Sequence, residues 1–137
     1  MGFQLWAVFS ALFAGLTAVL AKKGVEEVPA NLAVAVRVSF VVVMTWAIAA
    51  ATSQLKVSAI NPRAWAYLAA SGVATGASWV CYFRALKLGP VAKVAPIDKL
   101  SFVVAMILGF LLLHEKPNLN LVGGAALIVT GVLVTLR

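Results

Sequence analysis

The chain has 137 residues, 64% of them hydrophobic and 11% charged, with a formal net charge of +7 and a mean hydropathy of +1.05. A soluble domain of this size buries only about two-thirds of the surface its unfolded chain exposes, so this much apolar side chain excludes a soluble globular protein and requires a bilayer as solvent. The basic residues stand singly or in pairs between apolar blocks, which excludes a nucleic-acid-binding arm and marks them as membrane flanks; the lone Cys81 excludes an intrachain disulfide and offers no metal cluster.

Crossing about 30 Å of hydrocarbon takes about 20 helical residues, and the apolar segments 3–21, 32–51, 64–83, 94–113 and 119–136 come near that length. They are continuously apolar and do not alternate with period two, so they predict helices and not barrel strands. The loops KKGVEEVPAN, SQLKVSAINPR, LKLGPVAK and HEKPN combine Gly, Pro or Asn with charge and separate the helices as turns. The expected organisation is one membrane domain over residues 1–137, without a soluble domain or a second repeat.

The first segment, LWAVFSALFAGLTAVLA, ends in a small-x-small pattern at Ala18 to Ala21 that resembles a signal-peptide cleavage site. Its positive charges, Lys22 and Lys23, follow the apolar run, and MGFQLW before it carries none, the reverse of a secretory leader. The segment is therefore expected to remain as a helix. The second segment carries Arg37 near its start. In the third, Ser71, Thr75, Ser78 and Tyr82 are spaced four, three and four, a polar stripe with Trp79 beside it. That stripe reads either as a cavity wall or as hydroxyls returned to their own helix, with Gly72-x-x-x-Gly76 as a packing face.

The fourth segment holds the most informative charges. Without its first turn it would be Leu100–Leu113, about 21 Å and too short to cross, so Asp98 and Lys99 lie within or at the edge of the bilayer. Lys99 is long enough to snorkel to the interface, whereas Asp98 is not and shares its face with Ser101, Ala105 and Gly109, the small residues that let helices approach. Arg37 lies about 7.5 Å into the second segment and Asp98 about 6 Å into the fourth, from the same side, so the two are expected to pair either as a functional couple or as a staple. Pro96 removes a backbone donor at the opening turn, where that is tolerable, and leaves local carbonyls or a bend beside Asp98. The last segment brings a small-residue face with Gly123, Gly124 and Gly131, and Trp6, Trp46 and Trp65 read as interface anchors. His114, Glu115 and Lys116 read as a solvated turn.

Lys22, Lys23, Arg84, Lys87, Lys93 and Arg137 fall on one side of the membrane and Lys56, Arg63 and Lys116 on the other. This weak bias favours the N-terminus outside and the C-terminus inside and leaves room for both orientations. No second histidine, Ser-His-Asp set, phosphate-cradling loop or deep carboxylate pair exists, so the sequence points away from an enzyme and calls for no cofactor and no metal.

With those residues in place, the sequence resembles a single EamA-type domain of the drug/metabolite transporter superfamily. The resemblance is carried by ANLAVAVRV with Arg37, GVATGASWVCYFRALKLG, VAPIDKLS leading into a helix that ends LLLHEKPN, and LVGGAALIVTGVLV. It covers about Leu5 to Leu136. Many family members resemble two such five-helix repeats fused in inverted orientation, so one repeat implies an all-α integral membrane protein acting as a homodimer, antiparallel by preference, or with a partner chain. The resemblance implies alternating-access transport of a small metabolite or drug in a bacterial or archaeal cell (inner) membrane. The related small multidrug resistance proteins carry a glutamate in their first helix for proton exchange. Here that helix has no carboxylate, so their mechanism does not transfer and Asp98 is the candidate coupling residue. Arg37, Asp98 and Lys99 together leave one positive charge, which favours an anionic or zwitterionic solute. The competing reading is a non-transporting membrane subunit or scaffold whose intramembrane polar groups are structural.

Overall fold

The computed structural model describes residues 2–137, and its regular elements among these are all helical. They divide into two compact units, one ending at Leu88 and one spanning Gly89–Arg137.

The first unit holds α1 (Phe3–Glu27), α2 (Ala30–Ala51) and α3 (Pro62–Leu88), with a short 3₁₀ turn at Val57–Ala59. Helix α1 does not stop at Ala21, as its apolar run suggests, but continues through Lys22 and Lys23 to Glu27. Two local features carry it on. Val25 repeats the face of Ala18 and Ala21 and is fully buried, and Lys22 pairs with Glu26 one turn later at 3.5 Å. The stop comes at Pro29, whose carbonyl accepts from Ala33 and opens α2. Helix α2 closes with a reversed turn: Ser53 takes the left-handed conformation at φ 56°, its amide donates to Ala50 O at 3.0 Å, and the Gln54 amide donates to Ala49 O at 2.9 Å. Helix α3 opens with Pro62 in its first turn and the Asn61 side chain accepting from the Ala64 amide at 2.7 Å. It runs past the expected end at Phe83 to Leu88, just before Gly89 and Pro90.

The three helices pack against one another, and the core lies where α1 and α3 end: Val25 and Leu86 are fully buried, and Phe83 nearly so. Two lysines bind the helix ends reciprocally. Lys22 Nζ donates to Leu86 O at 2.8 Å, while Lys87 Nζ donates to the carbonyls of Val25, Glu26 and Val28 at 2.7, 3.1 and 3.2 Å. The last carbonyls of a helix have no partner within it and carry its negative pole, so an ammonium there satisfies and neutralises them together. The contacts also place the C-termini of α1 and α3 at one end, so the side assignment of the first and third loops is consistent within this unit.

Replacing Lys87 by Met keeps the apolar stem and removes the ammonium. We expect a loss of about 1–3 kcal/mol, read as a lower melting temperature in mild detergent. Lys23→Met, at an exposed position, is expected to leave the melting temperature near that of the parent; equal melting for both variants would contradict the clasp.

The second unit holds α4 (Val91–Asp98), α5 (Ser101–Leu112) and α6 (Leu119–Thr135), with α6 packed on both α4 and α5. The expected continuous fourth helix is interrupted after Asp98. Pro96 has no amide hydrogen to return to the preceding turn, and its ring crowds that turn. The chain then tightens: the Lys99 and Leu100 amides donate only three residues back, to Pro96 O at 3.1 Å and Ile97 O at 3.0 Å. At the far end of α5, His114 adopts φ 54° and the Glu115 amide turns back to Gly109 O at 3.2 Å. Gly109 is buried under this turn, and a Cβ there would stand 2.8 Å from Glu115 Oε2, so the glutamate side chain would have to swing aside. Helix α6 is capped by Asn118, whose side chain accepts from the Asn120 amide at 2.9 Å, and it buries Ala125 and Val132.

By length and composition Phe3–Glu27, Ala30–Ala51 and the combined stretch Val91–Leu112 are apolar enough to cross a membrane. Helix α3 is long but diluted by its polar stripe, and α6, at 17 residues, is shorter. Little of the apolar surface is covered: Phe40 is 74% and Leu127 76% exposed, as befits helices whose outer faces meet lipid.

Candidate functional site

The first unit contains a groove of about 480 Å³ between α1 and α2. Its walls follow from helical periodicity. Thr17, Leu20, Ala21 and Gly24 recur on one face of α1, and Leu32, Ala33, Val36, Arg37, Phe40 and Val41 on one face of α2, with Phe83 of α3 reaching in between. Thr17 and Arg37 are the polar side chains in this lining.

Arg37 is half-buried, and its guanidinium carbon lies 4.3 Å from the ring centroid of Trp79 and 5.7 Å from that of Phe83. Trp79 and Phe83 are one turn apart on α3, so they present adjacent rings to the cation. The π faces replace part of the hydration that a guanidinium loses in hydrocarbon, a contact worth about 0.5–2 kcal/mol depending on desolvation. A guanidinium carries its N–H donors in coplanar pairs, a geometry suited to a planar anion.

The sequence candidates distribute unevenly around this groove. Trp79 is brought to Arg37, a more specific role than standing beside a hydroxyl stripe. Tyr82 is half-buried with its ring edge-on to Phe83, centroids 6.4 Å apart. Ser71, Thr75 and Ser78 are exposed, and the Thr75 hydroxyl donates to Ser71 O at 2.8 Å, satisfying itself within its own helix. In the second unit the Asp98 carboxylate lies 3.9 Å from Lys99 Nζ, with side chains 39% and 60% exposed, at the interruption between α4 and α5. Thr17, Phe40 and Phe83 escaped the sequence reading. For Thr17 and Phe40 the signal is the recurrence of α1 and α2 positions every three or four residues, and for Phe83 its place one turn after Trp79 on α3; uniformly apolar segments hide both because every face is hydrophobic.

Long apolar helices, lysine-bound helix ends and a groove holding one cation define a helical integral membrane protein. The EamA-like transporter family matches residues 2–137, and the chain belongs to that family. An uncharacterized transporter in the cobO 3' region of a Sinorhizobium species is 52% identical over 132 residues, which cover 96% of this chain and 94% of that protein. No solved structure matches.

Proposed function

We propose that the protein is a secondary transporter of a small organic solute, working by alternating access as a homodimer in a bacterial cell membrane. The observation that carries this reading is the guanidinium of Arg37 over Trp79 at the wall of an otherwise apolar groove. A scaffold has no use for a half-desolvated cation beside an open volume of ligand size. Asp98, at the interruption of α4 and α5, is the proposed coupling carboxylate, with Lys99 anchoring the helix turn. The stripe of Ser71, Thr75, Ser78 and Tyr82 is a secondary element of the path.

The dimer is supported by the size of a relative and by an uncovered helix face. The Sinorhizobium relative is matched over 94% of its own length, so that protein has the size of one repeat. In α6, Gly123 and Gly131 are exposed while Ala125 and Val132 face the rest of the unit, leaving a small-residue face for a second copy. Antiparallel pairing of five-span repeats reproduces the inverted architecture typical of such transporters.

Two measurements test this proposal. A solute panel added to detergent-solubilised protein should raise the melting temperature with at least one member, since a ligand of the folded state stabilises it by mass action; a scaffold would respond to none. A cysteine appended at the C-terminus should label from both sides of the membrane. Labelling from the cytoplasm alone would contradict the antiparallel arrangement.

A further inference from the structure

The threonines single out one hydroxyl in the groove. Thr45, Thr52, Thr75, Thr130 and Thr135 each donate to a carbonyl three or four residues earlier, at 2.7–2.9 Å. This is how a hydroxyl in hydrocarbon is ordinarily satisfied. Among the described residues Thr17 is the one threonine that makes no such bond, and it lines the groove that Arg37 enters. Thr17 stands about 15 Å before the end of α1 and Arg37 about 10 Å after the start of α2, so both lie at hydrocarbon depth.

Charge points the same way. The carboxylates of the first unit are Glu26 and Glu27, at the terminus of α1, and Glu26 is held by Lys22 at 3.5 Å. The groove therefore presents a guanidinium fork and a spare hydroxyl donor, with no acid of its own unit at that depth, among Leu20, Leu32, Val36 and Phe40. A cationic solute meets repulsion from Arg37 there, and the Trp79 face is already occupied by that guanidinium. A neutral solute leaves the cation uncompensated. We infer that the groove takes a small organic anion, its carboxylate or sulfonate head held by the Arg37 guanidinium and the Thr17 hydroxyl and its apolar body lying along α1 and α2. This inference rests on the groove being the solute site and narrows that reading to a chemical class.

The test uses three probes of one shape: benzenesulfonate, its neutral analogue benzenesulfonamide, and phenyltrimethylammonium. Binding to the purified full chain in detergent is followed by thermal shift and tryptophan fluorescence, and exchange is followed in proteoliposomes, which the two permanently charged probes do not cross unaided. Benzenesulfonate is expected to bind at least tenfold more tightly than either analogue. Arg37→Gln should abolish that preference, and the near-isosteric Thr17→Val should weaken benzenesulfonate about three- to tenfold without lowering the melting temperature of the free protein. Equal or tighter binding of the cation or the amide, or an anion preference unchanged in Arg37→Gln and Thr17→Val, overturns the inference. The exchange arm separates the two readings. Arg37-dependent binding without exchange would uphold the anion site and overturn transport of that anion, whereas exchange of phenyltrimethylammonium alone would uphold transport and overturn the anionic class.

Discussion

Arg37→Gln is expected to reduce solute exchange by at least a hundredfold while the protein still inserts and assembles. The substitution keeps a polar side chain of similar reach but removes the charge and the paired donors, so whatever the groove recognises electrostatically is lost. Arg37→Lys should recover part of the exchange, because an ammonium restores the charge but neither the planar fork nor the stack on Trp79. Trp79→Leu, which removes the ring under the guanidinium and keeps apolar bulk, should cost about tenfold, in line with a cation–π contribution of about 1 kcal/mol or slightly more. Full exchange in Arg37→Gln would remove the groove from the transport path and return attention to the stripe of Ser71, Thr75, Ser78 and Tyr82.

Asp98→Asn should abolish exchange, or its dependence on pH, with dimer assembly intact. The change is isosteric, so it removes charge and little else. The residue ends α4 where Pro96 has already loosened the helix, a position that tolerates rearrangement. Lys99→Gln should have a much smaller effect, since its side chain is 60% exposed and its ion pair with Asp98 is long at 3.9 Å. A purely structural role gives a different pattern. Asp98→Asn and Arg37→Gln would each disrupt folding, and the double variant would restore both fold and exchange.

Much of the architecture is legible in the sequence because hydrocarbon leaves the backbone few options. The apolar blocks became helices, and Pro29, Asn61-Pro62, Pro90 and Asn118 sit at the helix starts that turn chemistry indicates. Charge misled the reading at the ends. Lys22, Lys23 and Lys87 suggest loops, yet Lys22 and Lys87 are drawn into helix-end carbonyls and lengthen α1 and α3. The spacing of Lys22 and Glu26, and of Ala18, Ala21 and Val25, already contained that extension. The interruption beside Asp98 was foreshadowed by Pro96.

The candidate site was half visible. Arg37 stood out by its charge, but its neighbours Trp79 and Phe83 come from α3, and nothing in a uniformly apolar segment announces which ring a distant cation will meet. Depth matching linked Arg37 to Asp98. Within the first unit the guanidinium lies against aromatic faces, and within the second the Asp98 carboxylate is accompanied by Lys99; the expected Arg37–Asp98 couple, which would join the two units, stays a proposal.

The most direct test of the central claim is solute exchange by the purified protein in proteoliposomes, measured against a panel of small metabolites of differing charge, with Arg37→Gln as the control. Saturable exchange of at least one metabolite is expected, lost in Arg37→Gln although that variant is folded, inserted and dimeric. Absence of exchange for every metabolite by folded, inserted parent protein, or equal exchange by parent and Arg37→Gln, would contradict it.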